Sequence, residues 1–289
     1  MKVSGFTIAR NAVKFDYPII ESIKSILPIC DEYIVLVGNS EDDTLSLIKS
    51  INDKKIKIYE SVWDENLRKG GLVLSVETNK AKELITNDTD WCFYLQADEV
   101  VHEKYLDVII DNMNKYLEQV EVEGLLFKYK HFYGNYNYVA DSRKWYRREI
   151  RVVRNDKNIK SWGDAQGFRK NGEKLKVKLI DAFVYHYGWV KNPYHQMEKN
   201  KSFQKLWHND EKISELLGSN ELYDYSKIDS LKIFSGTHPA VMINRINNVN
   251  WNFSFDIAKK NMSLPNKLLY KLEEITGLRP FEYRNYKII

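Results

Sequence analysis

The stretch Trp91-Cys92-Phe93-Tyr94-Leu95-Gln96-Ala97-Asp98-Glu99-Val100 decides the fold, because an apolar run ends abruptly in an acidic pair. Five apolar or aromatic residues in a row, introduced by Asn87-Asp88-Thr89-Asp90, have the pattern of a strand buried on both faces of a parallel sheet. In open α/β sheets the ligand crevice lies beyond the carboxyl ends of such strands. Two carboxylates there can hold a hard divalent cation and, through it, a diphosphate. A strand followed by solvated turn acids would give the same local pattern, so the rest of the chain has to discriminate.

Upstream, the first 120 residues alternate strand and helix patterns. A strand at Lys2–Ala9 precedes a helix opening at Pro18, with Ile19, Ile20, Ile23, Ile26 and Leu27 at helical spacing. Tyr33–Val37 and Ile56–Tyr59 follow as strands, Thr44–Ile51 and Leu72–Ile85 as helices. This order predicts a parallel sheet with right-handed crossovers and helices on both faces. Residues 103–120 suit another helix. Residues 124–190 are rich in Tyr, Phe, Trp and Val, with turn signals at Tyr133-Gly134-Asn135 and Lys170-Asn171-Gly172-Glu173, which predict antiparallel strands and hairpins. From Pro193 to about Leu217 the chain is helical, and the last 50 residues read as short helices joined by Gly236 and Pro265. The expected division is a domain over 1–217 with a helical extension, 218–289, packed on it. In that extension Trp251, Phe253 and Phe255 alternate before Lys259-Lys260, and packing on the main domain is the expected role of these rings.

Of the 289 residues, 43% are hydrophobic and 29% charged, an ordinary globular composition. No apolar run approaches the roughly 18 residues that cross a bilayer, and Met1–Ile8 looks like a first strand rather than a signal peptide, so a cytoplasmic protein is expected. Cys30 and Cys92 have no metal-ligand spacing and read as reduced core residues. The net charge of +4 hides an asymmetry: residues 128–178 carry fifteen Lys and Arg against five acids, a local +10. Such a patch suits an anionic partner, a nucleotide diphosphate or a phospholipid surface, while no nucleic-acid module accompanies it.

Taken together, an α/β first half, an acidic motif after its fourth strand and a β-rich second half resemble the GT-A glycosyltransferase fold, and more closely its family-2-like members. The resemblance spans roughly residues 1–210. It rests on Ser4-Gly5-Phe6-Thr7-Ile8-Ala9-Arg10-Asn11, Val37-Gly38-Asn39-Ser40-Glu41-Asp42-Asp43-Thr44, Gln96-Ala97-Asp98-Glu99 and Tyr185-His186-Tyr187-Gly188-Trp189. It implies an inverting transferase that moves a sugar from a nucleoside-diphosphate sugar to a hydroxyl of a cell-surface glycan or lipid-linked acceptor, at the inner face of a membrane. By the same resemblance Asp98 is the second acid of an Asp-x-Asp motif and ligates Mn²⁺ or Mg²⁺, with His186 completing the site. Gln96 stands where the first acid would be and brings an amide without charge.

The resemblance places Thr7, Ala9 and Arg10 beside the base or phosphates, Asn39 in the slot of a base- or ribose-binding acid, and Gln96 and Ala97 against the nucleotide sugar. The Arg68-Lys69-Gly70-Gly71 run before a helix offers backbone N–H groups and cations to a diphosphate. Arg143, Arg147, Arg151, Lys199 and Lys201 are further candidates for stabilising the leaving group. Asp164, the only acid in Trp162–Phe168, takes the place of the catalytic base, with Glu149 as runner-up. Trp145, Tyr146, Trp162 and Trp189 could offer an acceptor platform. Two other functions compete: a catalytically silent sugar-nucleotide or glycan binding module on the same fold, and a nucleotidyltransferase. The latter is expected to carry a Gly-rich basic loop after the first strand, where only Arg10 is present. A dehydrogenase is disfavoured because no GxGxxG follows that strand.

Overall fold

The computed structural model describes residues 1–67, 69–207, 212 and 221–289. Its first part alternates β1 (Val3–Ala9), α1 (Ile19–Ile26), β2 (Glu32–Gly38), α2 (Thr44–Lys49), β3 (Ile56–Ser61), α3 (Leu72–Glu83) and β4 (Trp91–Tyr94). Strands β3, β2, β1 and β4 lie side by side in that order, all parallel. Side chains alternate across a strand, so a fully buried strand must be apolar on both faces. In β4, Trp91 and Phe93 face the core layer that holds Ile19, Ile23 and Ile26 of α1, whereas Cys92 and Tyr94 face the opposite layer with Val73 and Ala81 of α3. The helices therefore cover both faces, as the alternation predicts.

After β4 the chain forms β5 (Glu99–Val101), α4 (Leu106–Lys115), β6 (Gly124–Tyr133), β7 (Asn135–Ala140), β8 (Arg148–Arg154), β9 (Ile159–Trp162), β10 (Gly167–Lys170) and the long β11 (Glu173–Trp189). Strand β8 joins β4 antiparallel and carries the sheet on through β6, β11, β10 and β9, giving 13 strands among the described residues. The two turn signals form tight connections between β6 and β7 and between β10 and β11. One expectation needs correction: β6 and β11 pair parallel, not antiparallel. Forty residues of intervening hairpins return the chain to the same end of the sheet, a long-range pairing that local turn chemistry does not encode.

Helix α5 (Pro193–Lys205) follows, opened by Pro193 at its first turn and by the Asn192 side chain, which accepts from the Tyr194 N–H. The expected continuation to Leu217 lies largely outside the described residues. Beyond it come β12 (Leu231–Ile233), α6 (Ile243–Asn247), α7 (Leu264–Thr276) and β13 (Tyr286–Ile288). Pro265 starts α7 rather than separating two helices. Strands β12 and β13 add to β7 and β11. Phe253 packs against Tyr133, Tyr138 and Tyr225. Among the described residues no helix is long and apolar enough to cross a membrane.

One buried ion pair ties the two halves of the sheet together. Arg151 on β8 grips both carboxylate oxygens of Glu99 on β5 at 2.7 Å, and both side chains are 0% exposed. Breaking a buried pair from one side leaves an uncompensated charge. Arg151→Met is therefore expected to lower the unfolding free energy by about 3–5 kcal/mol in urea denaturation, with Glu99→Gln added to it recovering part of the loss. A single variant as stable as the wild type would deny the pair this role.

Candidate active site

The carboxyl ends of β1 and β4 open into a cleft of about 850 Å³, closed on the far side by the loop after β9, the end of β11 and helix α5. Ala9, Arg10, Gln96, Ala97, Asp98, Asp164, His186 and Lys201, all expected at the site, line it. Lys199, Trp63, Tyr146 and Trp189 line it too. Gln96, Ala97 and Asp98 thus line the cleft, but the acidic pair Asp98-Glu99 parts company. Glu99 turns into the core, where the Tyr129 hydroxyl and the Gln96 backbone N–H also donate to it. It is no ligand for anything in the cleft, so the expectation of two available carboxylates reduces to Asp98 alone.

Asp98 Oδ2 lies 3.6 Å from His186 Nε2 and 3.1 Å from Lys199 Nζ. Burial pushes this carboxyl up, but the Lys199 ammonium and His186 outweigh it and hold it well below the usual carboxylate range. Its backbone carbonyl accepts from the Tyr187 N–H, which fixes the motif to β11. Gly188 completes the arrangement. A Cβ built there would fall 2.5 Å from Asp98 Oδ2 and 2.6 Å from His186 Nε2, in the space between the two donors. Two donors 3.6 Å apart can both reach one divalent cation at about 2.1 Å, and the missing side chain leaves the room for it. The donor set fits Mn²⁺ or Mg²⁺ if other oxygens complete the shell.

The orientation of His186 is set from behind. His131 on β6 is buried, and burial together with the adjacent His186 holds it well below the usual imidazole range, hence neutral. Its Nε2 meets the Tyr146 carbonyl at 2.6 Å and must donate, which leaves Nδ1 as an acceptor for His186 Nδ1 at 3.0 Å. In neutral His186 the proton is therefore on Nδ1, and the Nε2 lone pair faces Asp98 and the cleft. No local pattern marks His131; its place on β6 beside His186 on β11 reveals it. Lys191 was missed as well. It is fully buried, donates to the Phe15 carbonyl at 2.8 Å and stacks over Tyr17, and burial with the nearby Lys199 pushes it well below the ordinary lysine range.

Several expected binding residues act differently. Thr7 is buried and donates to the Leu95 carbonyl at 2.6 Å, joining β1 to β4 rather than facing a ligand. The Asn39 side chain accepts from the Trp63 N–H, while its carbonyl accepts from Arg10, so it shapes the cleft without lining it. Gly71, at φ +69, supports the loop bearing Asp164, whose Cβ lies 2.9 Å from where a side chain at 71 would begin. Arg68 lies outside the described residues. Arg10 pairs with Glu65 and stacks on Trp63 at the mouth of the cleft. Arg143 and Arg147 are engaged by Glu273 and Glu282 of the C-terminal segment, and Arg151 by Glu99, so none of the three faces the cleft. Trp162 is solvent-exposed and Trp145 packs behind Trp189, leaving Tyr146 and Trp189 of the aromatic set at the cleft.

Asp164 sits on a tight loop in which Gly163 and Ala165 both have positive φ. Its carboxylate accepts weakly from the Gln166 N–H at 3.4 Å. The Gln166 carbonyl in turn accepts from Arg151 at 2.7 Å, so one guanidinium braces both this loop and the residue after Asp98. Glu149, the runner-up, is buried beneath Gly167 and does not line the cleft.

No protein-family model matches the chain, and no curated protein does. Among solved structures it is similar to TarS of S. aureus in complex with UDP, at 15% identity and TM-score 0.40 over 75% of this chain and 70% of that one. It is also similar to 4-diphosphocytidyl-2C-methyl-D-erythritol synthase from Anaerococcus prevotii, at 12% identity and TM-score 0.41 over 70% and 94%. A third is glucosyl-3-phosphoglycerate synthase from Mycobacterium tuberculosis in complex with Mn²⁺ and uridine-diphosphate-glucose, at 18% identity and TM-score 0.30 over 45% and 44%. Likenesses of this depth carry no weight for the chemistry, which rests on the cleft's own residues.

Glu149 offers a test of the local electrostatics. Burial pushes its carboxyl up from 4.5 to about 7, against the pull of Arg151. A carboxyl raised on folding contributes stability that is present below its unfolded pKa and lost as pH rises through the folded value. Glu149→Gln is expected to gain on the wild type by about 3 kcal/mol between pH 4 and pH 8 in urea unfolding, most of it between 4.5 and 7. A wild-type-minus-variant difference that stays flat over that window would place the charge elsewhere.

Proposed function

We propose that this protein is a glycosyltransferase that moves a sugar from a nucleoside-diphosphate sugar to an acceptor hydroxyl. One observation carries the proposal: Asp98 and His186 present an oxygen and an imidazole nitrogen to a gap kept open by Gly188, at the carboxyl end of β4 and inside a cleft of nucleotide-sugar size. We assign Asp98 and His186 as ligands of Mn²⁺ or Mg²⁺, whose role would be to neutralise charge on the departing diphosphate. Ala9, Arg10, Gln96, Ala97 and Lys201 would surround the donor, with the Arg10 guanidinium and the Trp63 ring at its nucleotide end.

Asp164 would accept the proton of the acceptor hydroxyl. The acceptor oxygen forms its bond to the anomeric carbon as the carbon–oxygen bond to the diphosphate breaks, and the electron pair leaves with the nucleoside diphosphate. A single base opposite a single leaving group supports inversion. Tyr146 and Trp189 would give the sugar an aromatic wall. Nucleotidyl transfer is less well supported, because no glycine follows Arg10 in the β1 loop.

Transfer is checked by release of nucleoside diphosphate from a panel of nucleotide sugars, with and without Mn²⁺. Asp98→Ala is expected to abolish the metal-dependent part. Asp164→Asn is expected to lower turnover about a hundredfold to ten-thousandfold while donor binding, followed by thermal shift, stays near wild type. Full turnover in Asp164→Asn would remove the base assignment, and the absence of any donor-dependent stabilisation would remove the transferase itself.

A lipid-linked acceptor is favoured by the outer face of α7. Leu264, Leu268 and Ile275, with Leu278 and Phe281 just beyond, are each at least 67% exposed, and Lys267 and Lys271 flank the stripe. An apolar stripe edged by lysines suits the surface of an anionic bilayer. The chain is expected to co-sediment with phosphatidylserine-containing vesicles and not with neutral ones, and Leu264→Glu with Leu268→Glu to abolish this. Equal sedimentation of the double variant would dismiss the membrane seat.

A further inference from the structure

Lys199 borders the gap that the proposed cation would need and holds the same oxygen of Asp98. Its ammonium is 3.1 Å from Asp98 Oδ2, the same oxygen that faces His186, and 3.0 Å from the Gly188 carbonyl. The rings of Tyr17 and Phe203 flank it at 5.0 and 5.5 Å, so it lies in a built cation seat rather than on the surface. With Glu99 consumed by Arg151, and Gln96 neutral where a second acid could have been, Asp98 is the carboxylate that balances it among the described residues.

The seat is electrically balanced by Asp98 and Lys199 alone. Adding a divalent cation to the same oxygen would leave a buried excess of positive charge, which a low-dielectric cleft penalises. A diphosphate reverses the balance, because its negative oxygens can take both the metal and the ammonium. We propose that Lys199 is a tethered placeholder: it holds Asp98 in the absence of donor and moves to the diphosphate when metal and donor arrive together, so that this chain does not load its metal first. The inference rests on the assignment of Asp98 and His186 as metal ligands, but its test does not require sugar transfer.

The measurement is equilibrium dialysis of Mn²⁺ against the full chain, alone and with inorganic pyrophosphate as the probe for the diphosphate. Wild type is expected to bind Mn²⁺ weakly alone and at least about tenfold more tightly with saturating pyrophosphate, the scale on which groups around a ligand move metal affinity. Lys199→Met is expected to bind Mn²⁺ alone about tenfold more tightly than wild type, and Asp98→Asn in that background to lose the gain. Lys199→Gln, which keeps a polar group on the Gly188 carbonyl, should behave like Lys199→Met and guards against a folding defect in the apolar variant. Equal Mn²⁺ affinity in wild type and both Lys199 variants overturns the proposal, as does wild-type Mn²⁺ binding that ignores pyrophosphate. A chain that transfers no sugar but shows the gain on removing Lys199 would sink the transferase and keep the placeholder.

Discussion

The buried contact between Glu99 and Arg151 constrains more of this molecule than any other single interaction. Arg151 spends two donors on Glu99 and another on the Gln166 carbonyl, so one planar group fixes the acidic motif after β4 and the loop that carries Asp164. Those two pieces of chain come from different parts of the sequence and from opposite sides of the cleft. A charge buried this deeply persists only when its partner is held in geometry, which makes the pair a register pin between β5 and β8. Asp98 is free to face the cleft because its neighbour is not.

That division of labour explains the polarity of the cleft. Asp98 is matched by the Lys199 ammonium that touches it, with the buried Lys191 amine behind and the imidazole of His186 looking on. A region so arranged is poor at holding a bare dication and good at receiving a polyanion. Behind it, the chain of contacts from the Tyr146 carbonyl through His131 to His186 puts the proton of a neutral His186 on the side away from Asp98.

Much of the first half was legible because its signals are local. The unbroken apolar run Trp91–Tyr94 states directly that both faces are buried, and the isoleucines of α1 repeat at the spacing of one helix face. Asp98, His186 and Asp164 are singled out by the family resemblance rather than by local pattern, and the fold brings all three to the lining of one cleft. Residues whose role depends on a distant partner were misjudged. Thr7 and Asn39 carry polar groups that could bind a ligand, yet the Leu95 carbonyl and the Trp63 N–H claim them first. The basic run over 128–178 looked like one surface for an anionic partner, but Arg143, Arg147 and Arg151 are each neutralised by acids remote in sequence. The parallel pairing of β6 with β11 was hidden for the same reason.

Gly188 sets a boundary between two kinds of molecule that this fold could be. Every other natural amino acid brings a Cβ within 2.6 Å of both Asp98 Oδ2 and His186 Nε2, so that at least one of these side chains would have to move aside. A relative with a larger residue there would keep its sheet, its nucleotide end and its aromatic wall, yet have nowhere to place a bridging cation. Under the metal assignment proposed for Asp98 and His186, position 188 would be a one-letter marker for sorting homologues into those able to seat a bridging cation and those able only to hold a nucleotide or a glycan.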